Sequence, residues 1–374
     1  MFTRKCYLAL MGALLVSGTM TGCDKKTPEA STEKTTAKEG GATPNKETAA
    51  TGTKESGKAA EIARDATKRI KIVYIPKNTG NVYFDVVASG FKKAQAELGF
   101  DFDIVAPATA DAASQIPFIK QQIQLKVDAI AISPNSPDAV KPALQEARAK
   151  GIHVITIDAD LTGNEDGREA YVIPADSDLI AKSQIDLISE LIGGKGEIAI
   201  LSATTDAPNQ NIWIKVMNET LKDPKFKDIQ LVDTVYGNDQ DQKSATEAQA
   251  LLLKHPNLKG IIAPTSVGIV SAVRVVETAG KANSIAVTGL GMPNNLRKYV
   301  QTGSMKKFAL WNPADMGYIG SYLLVGLTNG KIKPANGASF EAGTLKERKF
   351  GELNKVIAGP PLVFDKGNIE QFHF

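Results

Sequence analysis

Several short apolar, β-branched runs of this chain stop at residues with charged or hydrogen-bonding side chains. Pro76-Lys77-Asn78 ends one run, Ser133-Pro134-Asn135 another and Asp158-Ala159-Asp160 a third. Later runs stop at Ser202-Ala203-Thr204, Ala263-Pro264-Thr265-Ser266, Gly289-Leu290-Gly291 and Trp311-Asn312-Pro313. A strand-end Lys and Asp with amides, hydroxyls and a Trp do not make an activated nucleophile or a paired acid and base, so enzyme chemistry is not expected. They make a binding surface. Charged groups and amides take up hydroxyls as donors or acceptors, and an aromatic ring covers the less polar C–H face of a polyhydroxylated ligand.

Each residue also has a plainer reading. Asp158 suits a turn cap, but its place at a strand end points to a ligand contact. Lys77, also at a strand end, reads as a ligand or interlobe contact more than as a solvated charge. Asn209 and Gln210 open a helical stretch, where Asn is a favoured cap, and such amides can cap and face a cleft together. Trp311 reads as a stacking surface and Asn312 as a partner for a hydroxyl. Trp213, at helical spacing, reads as core, and Phe84 stands between helix packing and an apolar wall. Gly193-Gly194-Lys195-Gly196 precedes a strand and lacks the spacing of a phosphate loop. The carboxylates from Asp233 to Asp241 do not have calcium-loop spacing and read as a polar turn. His153, His255 and His373 are scattered, so neither a metal site nor a cofactor is expected.

The elements that must position these residues alternate. Strand patterns run over Ile70–Ile75, Phe102–Val105, Ala129–Ile132, His153–Ile157, Glu197–Leu201, Gln230–Val235, Gly260–Ala263, Ser284–Thr288 and Lys307–Trp311. Between them lie amphipathic stretches such as Asp85–Leu98, Pro137–Lys150, Leu179–Leu191 and Val267–Ala279. The pattern predicts an α/β fold with doubly wound parallel sheets. About 305 residues after the N-terminal region exceed what one core usually serves, so two lobes are expected. In such sheets ligands bind beyond the carboxyl ends of the strands, where the residues above collect.

The chain from Lys71 to Phe374 resembles the periplasmic binding proteins of the ribose-binding type. Within them it resembles the branch of rhamnose-binding proteins and the autoinducer-2 receptor. The resemblance rests on Ile75-Pro76-Lys77, Ile155-Thr156-Ile157-Asp158-Ala159-Asp160, Asn209-Gln210-Asn211-Ile212-Trp213-Ile214-Lys215, Ala263-Pro264-Thr265-Ser266-Val267-Gly268 and Phe308-Ala309-Leu310-Trp311-Asn312-Pro313. The C-terminal Val363-Phe364-Asp365-Lys366-Gly367-Asn368-Ile369 also looks like the branch's ending. It implies ligand contacts at Lys77, Asp158, Asn209, Gln210, Pro264 and Ser266. The autoinducer-2 pattern has Asp at 209 and Ala at 266, so the rhamnose branch looks closer, with autoinducer-2 as the alternative. The resemblance implies a monomeric sugar receptor delivering its ligand to an ABC transporter permease, through lobes joined by several crossings. The lobes are expected at residues 69–159 plus 291–313 and 160–290 plus 314–374.

The N-terminus suggests an address. Arg4 and Lys5 precede an apolar run from Tyr7 to Val16, followed by Met20-Thr21-Gly22-Cys23. A charged start, a short apolar stretch and small residues before a cut form an export signal, too short to span a membrane. Gly22-Cys23 resembles a lipobox, with Cys23 the residue to be acylated. Residues 24–68 are Lys, Thr, Glu, Ala, Gly and Ser with few large apolar side chains, and are expected to form a disordered tether reaching about 35–40 Å. This places the protein in the periplasm or at the cell surface, held by lipid alone. A transcription repressor on the same core would need a DNA-binding helix pair where the signal stands. The chain's 374 residues carry a net charge of +3 with no basic block, so nucleic acid is not an expected partner. Its only cysteines are Cys6 and Cys23, leaving the globular part without a disulfide. Cys23→Ser is expected to lose fatty-acid labelling and membrane association while keeping ligand affinity; label persisting on the Ser variant would refute the anchor.

Overall fold

The computed structural model describes residues 68–374. The expected leader at 1–23, with Cys23, and the expected tether up to residue 67 lie outside the described residues. The chain opens with β1 (Lys71–Ile75), α1 (Val82–Leu98), β2 (Asp101–Ile104), α2 (Ile116–Leu125), β3 (Ala129–Ile132), α3 (Pro137–Ala149), β4 (His153–Ile157) and β5 (Ala170–Ile173). It continues with α4 (Ser177–Ile192), β6 (Gly196–Ser202), α5 (Pro208–Thr220), β7 (Ile229–Tyr236), α6 (Asp241–Lys254), β8 (Leu258–Ala263), α7 (Ser266–Thr278), β9 (Ala286–Gly289), α8 (Pro293–Thr302) and β10 (Phe308–Leu310). The last part holds α9 (Pro313–Thr328), β11 (Ser339–Glu341), β12 (Glu347–Lys349), β13 (Lys355–Ile357) and β14 (Leu362–Phe364).

Ten of the strands form two parallel sheets, and β11 and β12 form a separate antiparallel pair. The first has the order β13-β5-β4-β3-β1-β2 and the second β7-β6-β8-β9. Leu290 bridges Ala309 beside β9, and β10 pairs antiparallel with β14, so these strands continue the second sheet's edge. The central strands are almost wholly buried because helices cover both faces: every residue of β3 is buried, as are the last four of β4 and of β8. α1 begins where the Asn81 side chain accepts from the Tyr83 N–H, and stops at Gly99, whose φ of 71° only glycine adopts without strain.

Strand pairing moves the lobe boundaries expected from the sequence. Residues 160–173 stay with the first sheet, because β5 pairs with β4. The segment 291–310 belongs with the second, since β10 pairs with β14 and sits beside β9. α9 returns to the first lobe, packing on α1 and β4, and β13 joins β5 there. The chain therefore crosses between lobes at residues 174–176, 311–312 and 358–361, not near 160 and 291. Pairing of strands distant in sequence, such as Lys355 with Tyr171, has no local signature in the chain.

α1 and α9 lie backbone to backbone. A Cβ on Gly90 would stand 1.9 Å from the Ala314 carbonyl oxygen, and one on Gly317 would stand 2.0 Å from the Val87 carbonyl oxygen. This contact carries the start of α1, which lines the cleft described below. In a free helix, Gly→Ala gains about 1 kcal/mol of propensity; here overpacking should reverse the sign and cost about 1–3 kcal/mol. Gly90→Ala and Gly317→Ala should each lower the melting temperature by several degrees in thermal unfolding. An unchanged or higher melting temperature would show that the helices separate without cost.

Candidate ligand-binding site

A cavity of about 370 Å³ lies at the carboxyl ends of both sheets. From the first lobe, β1 delivers Lys77, β4 delivers Asp158, and the first turn of α1 brings Asn81, Tyr83 and Phe84. From the second, the start of α5 supplies Asn209, Gln210 and Trp213, and the turn after β7 supplies Asp239. The end of β8 and start of α7 give Pro264, Thr265 and Ser266. Leu290, Leu310 and Trp311 close the apolar side, Trp311 standing on one of the crossings.

Asp158 is the centre of the polar network. Its φ is 70°, a left-handed turn at the end of β4. The N–H holds the Val172 carbonyl and its own carbonyl accepts from the Tyr171 hydroxyl at 2.8 Å, which fixes the turn. Its Oδ1 accepts from the Tyr83 hydroxyl at 2.7 Å, and that hydroxyl accepts in turn from Trp311 Nε1 at 2.9 Å. Its Oδ2 accepts from Asn209 Nδ2 at 3.2 Å and lies 3.8 Å from Lys77 Nζ. Lys77 Nζ donates to Asn209 Oδ1 at 2.9 Å. Lys77, Asn209 and Asp158 thus form a buried triangle with the amide contributed by the opposite lobe. A second bond across the cleft runs from the Ser266 hydroxyl to Asn81 Oδ1 at 3.0 Å.

Burial dominates the electrostatics. It raises the Asp158 carboxyl above the usual range, opposed by the Lys77 charge and the Tyr83 hydrogen bond. Burial also raises Asp239, opposed by the Thr265 hydroxyl that donates to its Oδ1 and by Lys77. The Tyr83 phenol is pushed well up by burial and the neighbouring Asp158 charge, so it remains a neutral donor.

Of the residues singled out in the sequence, Lys77, Phe84, Asp158, Asn209, Gln210, Pro264, Ser266 and Trp311 line this one cavity. Asn312 does not. Its side chain accepts from the Ala314 N–H and donates to Asp315, so it caps α9. Asn209 is likewise not the cap of α5; Ala207 holds that place, with Pro208 opening the helix. Gln210 turns its carbonyl oxygen to the Ser202 hydroxyl at 2.6 Å and the Ala203 N–H at 2.7 Å, tying α5 to β6. Trp213 packs in the core as expected and also faces the cavity, 6.0 Å from Trp311 between ring centres.

Sequence reasoning passed over Asn81, Tyr83 and Asp239. The polar turn near Asp239 scatters its carboxylates: Asp233 pairs with Lys254 and His255, Asp241 with Arg274, and Asp239 faces the cavity. The strand-end rule applied to β7 would have reached it. Among the described residues no group of three or more His, Cys, Asp or Glu side chains could hold a metal.

Residues 72–332 match the family model described as periplasmic binding protein domain. The chain belongs to that family. Its fold is the type I periplasmic binding protein fold, and the chain is a solute-binding protein of a family of exported proteins, not an enzyme. It is 26% identical to the D-allose-binding periplasmic protein of Escherichia coli K12, over 74% of this chain and 91% of that protein. Among solved structures it is similar to a sugar ABC transporter protein from Actinomyces odontolyticus, at 42% identity and TM-score 0.66, covering 82% of this chain and 98% of the other. It is similar also to an ABC transporter solute-binding protein from Clostridium phytofermentas with bound L-rhamnose, at 34% identity and TM-score 0.78, with the same coverages of 82% and 98%.

In this solute-binding protein the triangle makes a pH-dependent prediction. A carboxyl whose folded pKa lies above its unfolded value of about 3.9 holds its proton better in the native state, so stability falls as pH rises between the two. Lys77→Met should raise the Asp158 pKa further and leave a buried charge uncompensated, costing about 3–5 kcal/mol at pH 7. The deficit against wild type should shrink as pH falls toward 4 and Asp158 becomes protonated. Denaturant unfolding at several pH values measures this; no loss, or a loss equal at all pH values, would mean the two charges are not coupled.

Proposed function

We propose that this chain is the lipid-anchored receptor of an ABC sugar importer, binding L-rhamnose or a related deoxyhexose in the cleft and presenting it to the permease. One observation carries the reading: a single cavity sets Lys77, Asp158, Asn209 and Asp239 against an apolar side built from Phe84, Trp213, Leu290, Leu310 and Trp311. The polar side suits ring hydroxyls, since amides and carboxylates between them donate and accept. The apolar side suits a C–H face and the methyl of a 6-deoxy sugar, each buried methyl-sized group contributing about 0.8 kcal/mol.

Support also comes from the relative with bound L-rhamnose, at 34% identity over nearly its whole length. Asn209 and Ser266, where the chain departs from the autoinducer-2 pattern, touch partners across the cleft, at Lys77 and Asn81 respectively. The three crossings form the hinge, and ligand-driven closure joins the two halves of the polar network. The anchor at Cys23 and the tether keep the receptor, as a monomer, near its permease.

A thermal-shift panel of L-rhamnose, fucose, ribose, galactose, xylose and autoinducer-2, followed by titration calorimetry, tests the assignment. Rhamnose at 100 times its dissociation constant should stabilise the protein by about 2.7 kcal/mol. A response to autoinducer-2 with none to rhamnose would reverse the assignment, and silence from every neutral sugar would remove the sugar reading.

A further inference from the structure

The cavity's ionisable charge is unbalanced. Its lining carries one ammonium, Lys77, and two carboxylates, Asp158 and Asp239, one from each lobe. The two acids are not equivalent. Both oxygens of Asp158 are engaged by the protein, Oδ1 by Tyr83 and Oδ2 by Asn209 and Lys77. Asp239 has only its Oδ1 occupied, by the Thr265 hydroxyl. Among the described residues its Oδ2 accepts no hydrogen bond, although it belongs to a residue lining the cavity. An ionised carboxylate has about four acceptor positions on its two oxygens.

The backbone holds this group in place. Asn238 and Asp239 both take left-handed conformations, with φ of 56° and 53°. The Asn238 N–H bonds the Ala203 carbonyl at 2.8 Å, and the Gly237 N–H bonds the Ser202 carbonyl at 2.9 Å. Thr265, which steers Asp239, also caps α7 through the Gly268 N–H. The turn is therefore tied to β6 and to α7, which holds the Asp239 carboxylate at the cavity lining.

We infer that Asp239 is the second-lobe anchor for a ligand hydroxyl, and that with Asp158 it restricts the site to neutral sugars and excludes sugar acids and sugar phosphates. The inference rests on the sugar-binding reading above. Asp158 organises Lys77, Tyr83 and Asn209, whereas Asp239 meets the ligand with an oxygen that no protein group occupies. A ligand carboxylate or phosphate would face two carboxylates with one ammonium already shared between Asp158 and Asn209, a like-charge contact that costs affinity.

Calorimetry with the full chain tests this, using the best neutral sugar of the panel and D-galacturonate as an anionic pyranose. Wild type should bind the neutral sugar and not galacturonate. Asp239→Asn, nearly isosteric, should weaken the neutral sugar roughly 10- to 100-fold, the loss of a charge-assisted hydrogen bond. Its ligand-free melting temperature should equal or exceed that of wild type, since a partly buried charge has been removed. Equal affinity in a folded Asp239→Asn protein would overturn the anchor while leaving the sugar reading intact. Galacturonate binding to wild type as tightly as the neutral sugar would overturn the charge exclusion. If wild type binds no neutral sugar at all, the sugar reading falls and the assignment of Asp239 falls with it.

Discussion

A carboxylate removed from water is stable only when charge and hydrogen bonds replace the water it lost. Asp158 is 4% exposed, and the molecule around it supplies those replacements. Lys77 comes from the neighbouring end of the same sheet, Tyr83 from the first turn of α1, and Asn209 from the opposite lobe. Because one partner lies across the cleft, the carboxylate is fully compensated only when the lobes meet. Burial of this one acid therefore links the shape of the pocket to the relation between the lobes.

Much of the surrounding structure serves to hold that group still. Next to Asp158, Asp160 takes both Arg168 Nε and Nη2 at 2.6 Å and the Thr156 hydroxyl at 2.7 Å. Arg168 reaches on to the Leu353 carbonyl, which ties the turn after β4 to the last segment of the first lobe. On the other side, the close approach of α1 and α9 through Gly90 and Gly317 fixes the helix start that presents Asn81, Tyr83 and Phe84. Tyr83 then passes the constraint to Trp311, so the aromatic side and the polar side of the cavity share one chain of hydrogen bonds.

The sequence disclosed the strands that matter and most of what stands at their ends. Lys77, Asp158, Pro264, Ser266 and Trp311 were legible because a buried parallel strand is a continuous apolar run whose end is easy to see. Asn312 misled for a physical reason: a residue just past a strand is also where the next helix starts, and Asn is a good cap. Tyr83 was missed because a residue at helical spacing reads as core until the partner of its hydroxyl is known. Asp239 was missed because three acids in one polar turn look alike, and only tertiary structure gives Asp233 and Asp241 to basic partners and leaves Asp239 to the cavity. The lobe boundaries were misplaced since β5, which gave no strand pattern, stays with β4, and β13 joins the first sheet by pairing with β5 over about 180 residues of chain, about which local pattern is silent.

The central claim is that the cleft between the two sheets receives a sugar whose hydroxyls meet the acids of both lobes. A crystal structure of the full chain grown with L-rhamnose examines it directly. The account predicts the sugar ring between the Lys77, Asp158 and Asp239 side chains and the Trp311 wall, with a ring hydroxyl on Asp239 Oδ2. A sugar bound elsewhere on the protein, or a ring in this cleft that touches neither Asp158 nor Asp239, would contradict it.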